Sequence, residues 1–155
     1  MKFDKNIKFG RQGYPPYGAE KILIENKDTI FNNLFGSWID QIPWYLSRIV
    51  AKEQIYEAFL KLLEIWAQEN KIVFFPPEQF YNKNLETYST PIKIKEKFKI
   101  WDIPIEDIIT YIRNTIPKEL HNNFSQNKSD EYCFGDFCPR IGWINKNGKI
   151  EFDFE

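Results

Sequence analysis

The amino-acid sequence predicts an α+β fold, with helices first and then a small antiparallel sheet that closes in a C-terminal hairpin. Three observations carry this. Residues 52–70 place apolar side chains at helical spacing with no glycine or proline among them. Residues 149–155 alternate apolar and acidic with period two, and Asn147-Gly148 between two apolar runs is a hairpin-turn signal. At 155 residues, 43% hydrophobic and 17% aromatic, the chain has apolar mass enough for a core of its own, which excludes long-range disorder.

Taken in order, residues 1–20 read as a strap or tail, because Gly10, Gly13, Pro15, Pro16 and Gly18 interrupt any periodic pattern. Residues 21–155 read as one domain. Asp28 is a plausible N-cap for a short helix striped by Ile30, Phe31, Leu34 and Phe35 and stopped at Gly36. Trp44, Tyr45 and Leu46 follow Pro43 as a second short apolar helix or turn. The central helix, 52–70, has Ile55, Phe59, Leu62 and Trp66 at i, i+4, i+7 and i+11. Nineteen helical residues would span about 28 Å, enough to cross a small domain. Residues 71–75 read as a buried strand ended by Pro76-Pro77, and 78–91 as a polar loop. Alternating apolar and basic residues over 92–100 suggest a solvated edge strand or the lead-in to a helix. That next helix opens near Pro104, among Asp102, Glu106 and Asp107, and is lined by Ile105, Ile108, Ile109, Ile112 and Ile116. Residues 118–130 are a polar connection, and 131–134 and 141–144 read as strands leading into the terminal hairpin.

Composition narrows function by exclusion. With 21 basic and 22 acidic residues the formal charge is −1, so no global basic field is available to grip nucleic acid or an anionic membrane. The start is polar, without a secretory signal, and no apolar run approaches a membrane span; the expected location is the cytoplasm. Two cysteines are too few for a disulfide scaffold.

The order of motifs from about residue 35 to residue 150 is more specific. A Trp38-to-Tyr45 segment precedes Tyr56-Glu57-Ala58-Phe59-Leu60-Lys61-Leu62-Leu63-Glu64 and the strand Lys71-Ile72-Val73-Phe74. Trp101-Asp102-Ile103-Pro104, Tyr132-Cys133-Phe134 and Cys138-Pro139-Arg140-Ile141-Gly142-Trp143-Ile144 follow, before Asn147-Gly148-Lys149. This order resembles a family of small bacterial proteins grouped as a domain of unknown function and associated with polymorphic-toxin and contact-dependent growth-inhibition loci. The resemblance implies an immunity protein, whose partner is a cognate toxin domain and whose working part is a complementary surface.

An immunity protein against a nucleic-acid-cutting toxin would present acid to a basic cleft. Residues 130–155 hold six acids (Asp130, Glu131, Asp136, Glu151, Asp153 and Glu155) against Arg140, Lys146 and Lys149, a local balance of −3, and these acids are the candidate partner-binding residues. The alternative reading of the same acids is an ordinary solvated sheet face. The rival function is nucleic-acid binding through Lys93, Lys95 and Lys97 with Trp101 as a stacking ring, since residues 83–99 carry five lysines against two glutamates; the same lysines would also protect an edge strand. Catalysis has little to draw on. His121 is the sole histidine, so only a dyad with Cys133 or Cys138 is available, and its polar setting reads as surface. The four-residue gap between the cysteines does not match the usual zinc spacing, even with Asp136 added, and reads instead as two small buried residues flanking a turn. No catalytic residue, metal or cofactor is expected.

Overall fold

A computed structural model describes residues 18–152, with side chains from Leu23 onward. The elements are α1 (Gly18–Leu34), α2 (Gln41–Ser47), α3 (Ile55–Gln68), β1 (Ile72–Phe75), β2 (Tyr81–Asn82), β3 (Thr87–Tyr88), β4 (Ile92–Lys95), β5 (Phe98–Trp101), α4 (Ile105–Thr115), α5 (Gln126–Cys133), β6 (Arg140–Ile144) and β7 (Ile150–Glu151). The fold is α+β, and its last two strands form the expected C-terminal hairpin. None of the described helices is long and apolar enough to cross a membrane.

The strands make three antiparallel sheets: a three-stranded one in the order β1-β6-β7, and the ribbons β2-β3 and β4-β5. Pairing of Ile72 with Trp143 and of Phe74 with Ile141 turns these four side chains to one face, where they join the buried faces of the helices in the main core. Val73 and Gly142 pair on the opposite face, which the β4-β5 hairpin covers with Phe98 and Ile100 to form a second, smaller core with Ile150. Gly142 leaves room on that face for the side chains of Ile150 and Phe75. A Cβ there would lie 2.8 Å from Ile150 Cγ2 and 2.9 Å from Phe75 Cζ, closer than carbon atoms can approach. The hairpin is fastened by its own turn: Glu96 holds a φ of 59°, unusual for a residue with a side chain, and its carboxylate accepts the Ile150 N–H at 2.9 Å.

The central helix buries Ile55, Phe59, Leu62 and Trp66, as its spacing predicts, but runs fourteen residues, about 21 Å. Its end is set by Asn70, at φ 58°: Asn70 N–H bonds Ala67 O at 3.1 Å and Lys71 N–H bonds Trp66 O at 2.8 Å, the paired bonds of a Schellman stop. Trp66 meets Phe31 of α1 and Trp143 of β6 at ring-centroid distances of 5.6 and 5.9 Å, and Phe31 meets Trp143 at 5.3 Å. Both indoles are buried with their N–H groups bonded, Trp66 to Lys27 O at 3.2 Å and Trp143 to Ser37 O at 2.8 Å.

Several expectations are corrected. Residues 18–20 of the expected strap are helical, and residues 1–17 lie outside the described ones. Asp28 is not an N-cap; it sits within α1, because the buried stripe reaches back through Asn26 to Leu23, and its carboxylate pairs with Lys27 and Lys71. The expected loop 78–91 holds a 3-10 turn and the β2-β3 ribbon, and 92–101 is a hairpin of its own. Residues 131–134, expected as a strand, end helix α5. Ser129, Tyr132 and Cys133 form its buried face at i, i+3 and i+4, and Gln126 bonds Asp130 at 2.7 Å one turn on; only the polar composition hid this period. Residues 153–155, with Asp153 and Glu155, lie outside the described residues.

Replacing Trp143 with Phe removes three ring atoms, the donor nitrogen among them, and leaves Ser37 O without its donor. The expected loss is about 2–3 kcal/mol, read from urea unfolding midpoints against wild type.

Candidate functional site

The segment joining α5 to β6 is the most distinctive surface of the described chain. Helix α5 closes with Phe134 N–H on Asp130 O at 2.9 Å and Gly135 N–H on Tyr132 O at 3.1 Å. A Cβ at Gly135 would stand 2.9 Å from Glu131 O, so the tight exit from the helix requires glycine. The next two carbonyls are clamped from other elements. Asp136 O accepts Gln79 N–H at 3.0 Å, and Phe137 O accepts the Tyr111 hydroxyl at 2.5 Å. Gln79 Nε2 donates in turn to the Tyr111 hydroxyl, so the 3-10 turn after β1 and helix α4 grip the same loop. Cys133 and Cys138, both buried and unbridged, root its two ends in the core.

Despite this anchoring the loop displays its apolar side chains. Phe134 is 57% and Phe137 54% exposed. Full burial of a phenylalanine is worth about 1.5–3 kcal/mol, so two rings held out on a fixed backbone forgo a contribution the fold could have used. Phe134 leans on Trp38, which is half-buried, at a centroid distance of 5.9 Å, and Trp38 continues to Phe152 at 5.8 Å. The Ser37 carbonyl that holds Trp143 thus fixes the residue next to Trp38.

Acids border these rings. Glu131 and Asp136 are exposed, and Asp130 is half-buried on the last turn of α5. Asp40, two residues past Trp38, is 5% exposed; its Oδ2 accepts Gln41 Nε2 at 3.0 Å and its Oδ1 has no hydrogen-bond partner. Burial pushes the Asp40 carboxyl above its ordinary range, the Gln41 bond opposes this, and repulsion from the Asp130 carboxylate adds to it. Among the described residues no lysine or arginine pairs with either acid, whereas Asp28, Glu57, Glu69 and Glu78 each have a cation.

Of the acids the sequence singled out, Asp130, Glu131 and Asp136 come together at this loop. Glu151 lies apart on β7, where it accepts Asn145 Nδ2 at 2.9 Å. Lys93, Lys95 and Lys97 are exposed along the β4-β5 hairpin. Trp101 does not join them as a stacking ring: it is 4% exposed, wedged against Phe80 and Tyr111, with its N–H on Thr90 Oγ1 at 2.9 Å. Its position at the inner end of β5, paired to Ile92, turns it into the body. His121 borders a cavity of about 10 Å³ beside Tyr56 and Arg113, room for a single water. Among the described residues no group of three or more His, Cys, Asp or Glu is placed to hold a metal. Trp38, near an element end, could be expected from the sequence to line a groove, whereas Asp40, Phe134 and Phe137 were not legible as site residues. The one available signal was a pair of phenylalanines three apart in a Gly-Asp turn, and exposure cannot be read from residue type.

Asp40 gives a pH signature with a definite sign. A carboxyl whose folded pKa lies above its unfolded value contributes stability below that unfolded value and loses it as pH rises through the folded one. Asp40→Asn is therefore expected to be more stable than wild type at pH 7, with the difference shrinking as pH falls from the raised value towards 3.8. Urea unfolding of both proteins across that window checks it. Comparison with known proteins finds no matching family model, no matching curated protein and no matching solved structure for this chain.

Proposed function

We propose that this chain is an immunity-type binding protein, acting in the cytoplasm, which neutralises a cognate bacterial toxin by seating the acid-bordered aromatic loop on the toxin's active surface. The observation that carries the reading is the display of Phe134 and Phe137 on a backbone clamped by Gln79 and Tyr111. Binding energy at protein interfaces concentrates in a few aromatic anchors surrounded by polar rims, and a loop already fixed in place has little ordering entropy left to lose. Asp130, Glu131 and Asp136 supply the rim. Their charge suits a partner with a basic cleft, such as a nuclease toxin, since complementary fields speed encounter and acid competes with the phosphate the cleft evolved to hold. The motif order described above supports the same class. No step of this function calls for a catalytic group, a metal or a cofactor on the chain itself.

Co-expression with the toxin domain encoded beside it tests the proposal. Survival of the cells and a stable purified complex are expected; killing without complex formation overturns it. Within such a complex, Phe134→Ala and Phe137→Ala are each expected to weaken affinity at least tenfold, chiefly through faster dissociation. Glu131→Lys with Asp136→Lys should slow association and flatten its dependence on salt, as measured by surface plasmon resonance.

A further inference from the structure

The loop between α5 and β6 begins and ends at the chain's only two cysteines, Cys133 and Cys138. Each is 3% exposed, and neither is bridged. One face of α4 fixes both ends of the loop. Tyr111 donates its hydroxyl to Phe137 O, beside Cys138, at 2.5 Å. Thr115, one turn further along α4, shares a 2.7 Å hydrogen bond with the hydroxyl of Tyr132, beside Cys133. Side chains four apart on a helix stand about 5–6 Å from one another, so both roots of the loop are drawn to one place on α4. Between them the chain turns back at Gly135, whose N–H bonds Tyr132 O at 3.1 Å. The two thiols meet there, with Cys133 a hydrogen-bond partner of Cys138.

Burial pushes the Cys138 thiol well above its ordinary range, and the adjoining Cys133 adds to this; the Tyr132 hydroxyl and the Arg140 guanidinium work the other way. A thiolate is therefore disfavoured in place, and a bulky adduct on one sulfur finds no room at a site this closed. A bond between the sulfurs meets neither objection, because it is uncharged and compact. Its formation gives up one weak contact, from Cys138 Sγ to Pro139 O at 3.2 Å. As space-fillers the two residues would have no need to touch; as a redox pair they must.

We propose that Cys133 and Cys138 form a reversible dithiol–disulfide site, oxidised by exchange with a small-molecule disulfide. Cys133, the last residue of α5, lies where a helix frays and is the sulfur that opens to solvent first. Its thiolate attacks the small disulfide, whose S–S bond breaks; a mixed disulfide forms and one small thiolate leaves. Cys138 Sγ then attacks the Cys133 sulfur and expels the second small thiolate. Two protein S–H bonds are lost, one S–S bond is gained, and two electrons and two protons end on the two small thiols. The new bond closes the base of the loop that displays Phe134 and Phe137, and ties α5 to the start of β6. In a compartment kept reducing by glutathione such a bond is transient, which makes the pair a switch. Its chemistry belongs to the free chain and needs no partner.

Equilibration of the full chain with mixtures of reduced and oxidised glutathione, followed by acid quench, alkylation and intact-mass measurement, tests the site. The folded chain is expected to lose two hydrogens, about 2 Da, with no glutathione adduct accumulating, and dithiothreitol to restore the dithiol. At a fixed glutathione mixture the ratio of disulfide to dithiol should be at least tenfold higher for the folded chain than for the chain in urea. By linkage, the oxidised form should then unfold at a higher urea concentration than the reduced form. The proposal is overturned by a folded chain that moves no further towards disulfide than the unfolded one, by glutathione on a single cysteine as the main folded product, by disulfide-linked dimers, or by an oxidised form less stable than the reduced.

Discussion

Three rings hold the molecule together. Phe31, Trp66 and Trp143 come from α1, α3 and β6, elements far apart in sequence, and each touches the other two. Rings of this size bury more apolar surface than any other side chains, and edge-to-face contacts orient them beyond what burial alone would do. The indole N–H groups add direction. Each finds a backbone carbonyl belonging to α1 or the turn after it, so the sheet cannot slide along the helix without breaking a buried hydrogen bond. Trp143 also connects core to surface, since its partner Ser37 precedes Trp38, the ring on which Phe134 rests.

The surface loop thus inherits its position from the core on one side and from the Gln79–Tyr111 pair on the other. Rigidity and exposure are combined there at a cost in stability. Two phenylalanines stay in water, and Asp40 stays buried with an oxygen unpaired near another carboxylate. Natural sequences keep such features where activity depends on them, because substitutions that relieve them are plentiful. Elsewhere Glu96 holds a positive φ and turns its carboxylate to the Ile150 N–H, which fastens the β4-β5 hairpin to the sheet edge. Binding at the loop would draw on polar and apolar groups that the fold leaves unsatisfied.

Much of the architecture could be read from residue order. The spacing of Ile55, Phe59, Leu62 and Trp66 identified α3, the isoleucines from 105 to 116 identified α4, and Gly148, at φ 77°, closes the hairpin turn that Asn147-Gly148 announced. These elements declare themselves because one face is continuously apolar. Helix α5 does not: its buried face is Ser129, Tyr132 and Cys133, and a serine in the core has no hydrophobic signal. The same limit applied to the candidate site. Acids at 130, 131 and 136 were visible as charge, and the structure gathers them, but Asp40 joins them across ninety residues of chain and only a fold can make that approach. Trp101 erred in the other direction, since its proximity to lysines in sequence implied a shared surface that strand geometry denies it.

Binding through the loop at 134–138, as proposed, requires a backbone fixed before any partner arrives. Backbone ¹⁵N relaxation of the free protein measures this directly. Order parameters of about 0.85 across residues 134–138, equal to those of α3 and β6, are the predicted result. Values below about 0.6 in that segment, with α3 and β6 still rigid, would contradict a preformed binding loop.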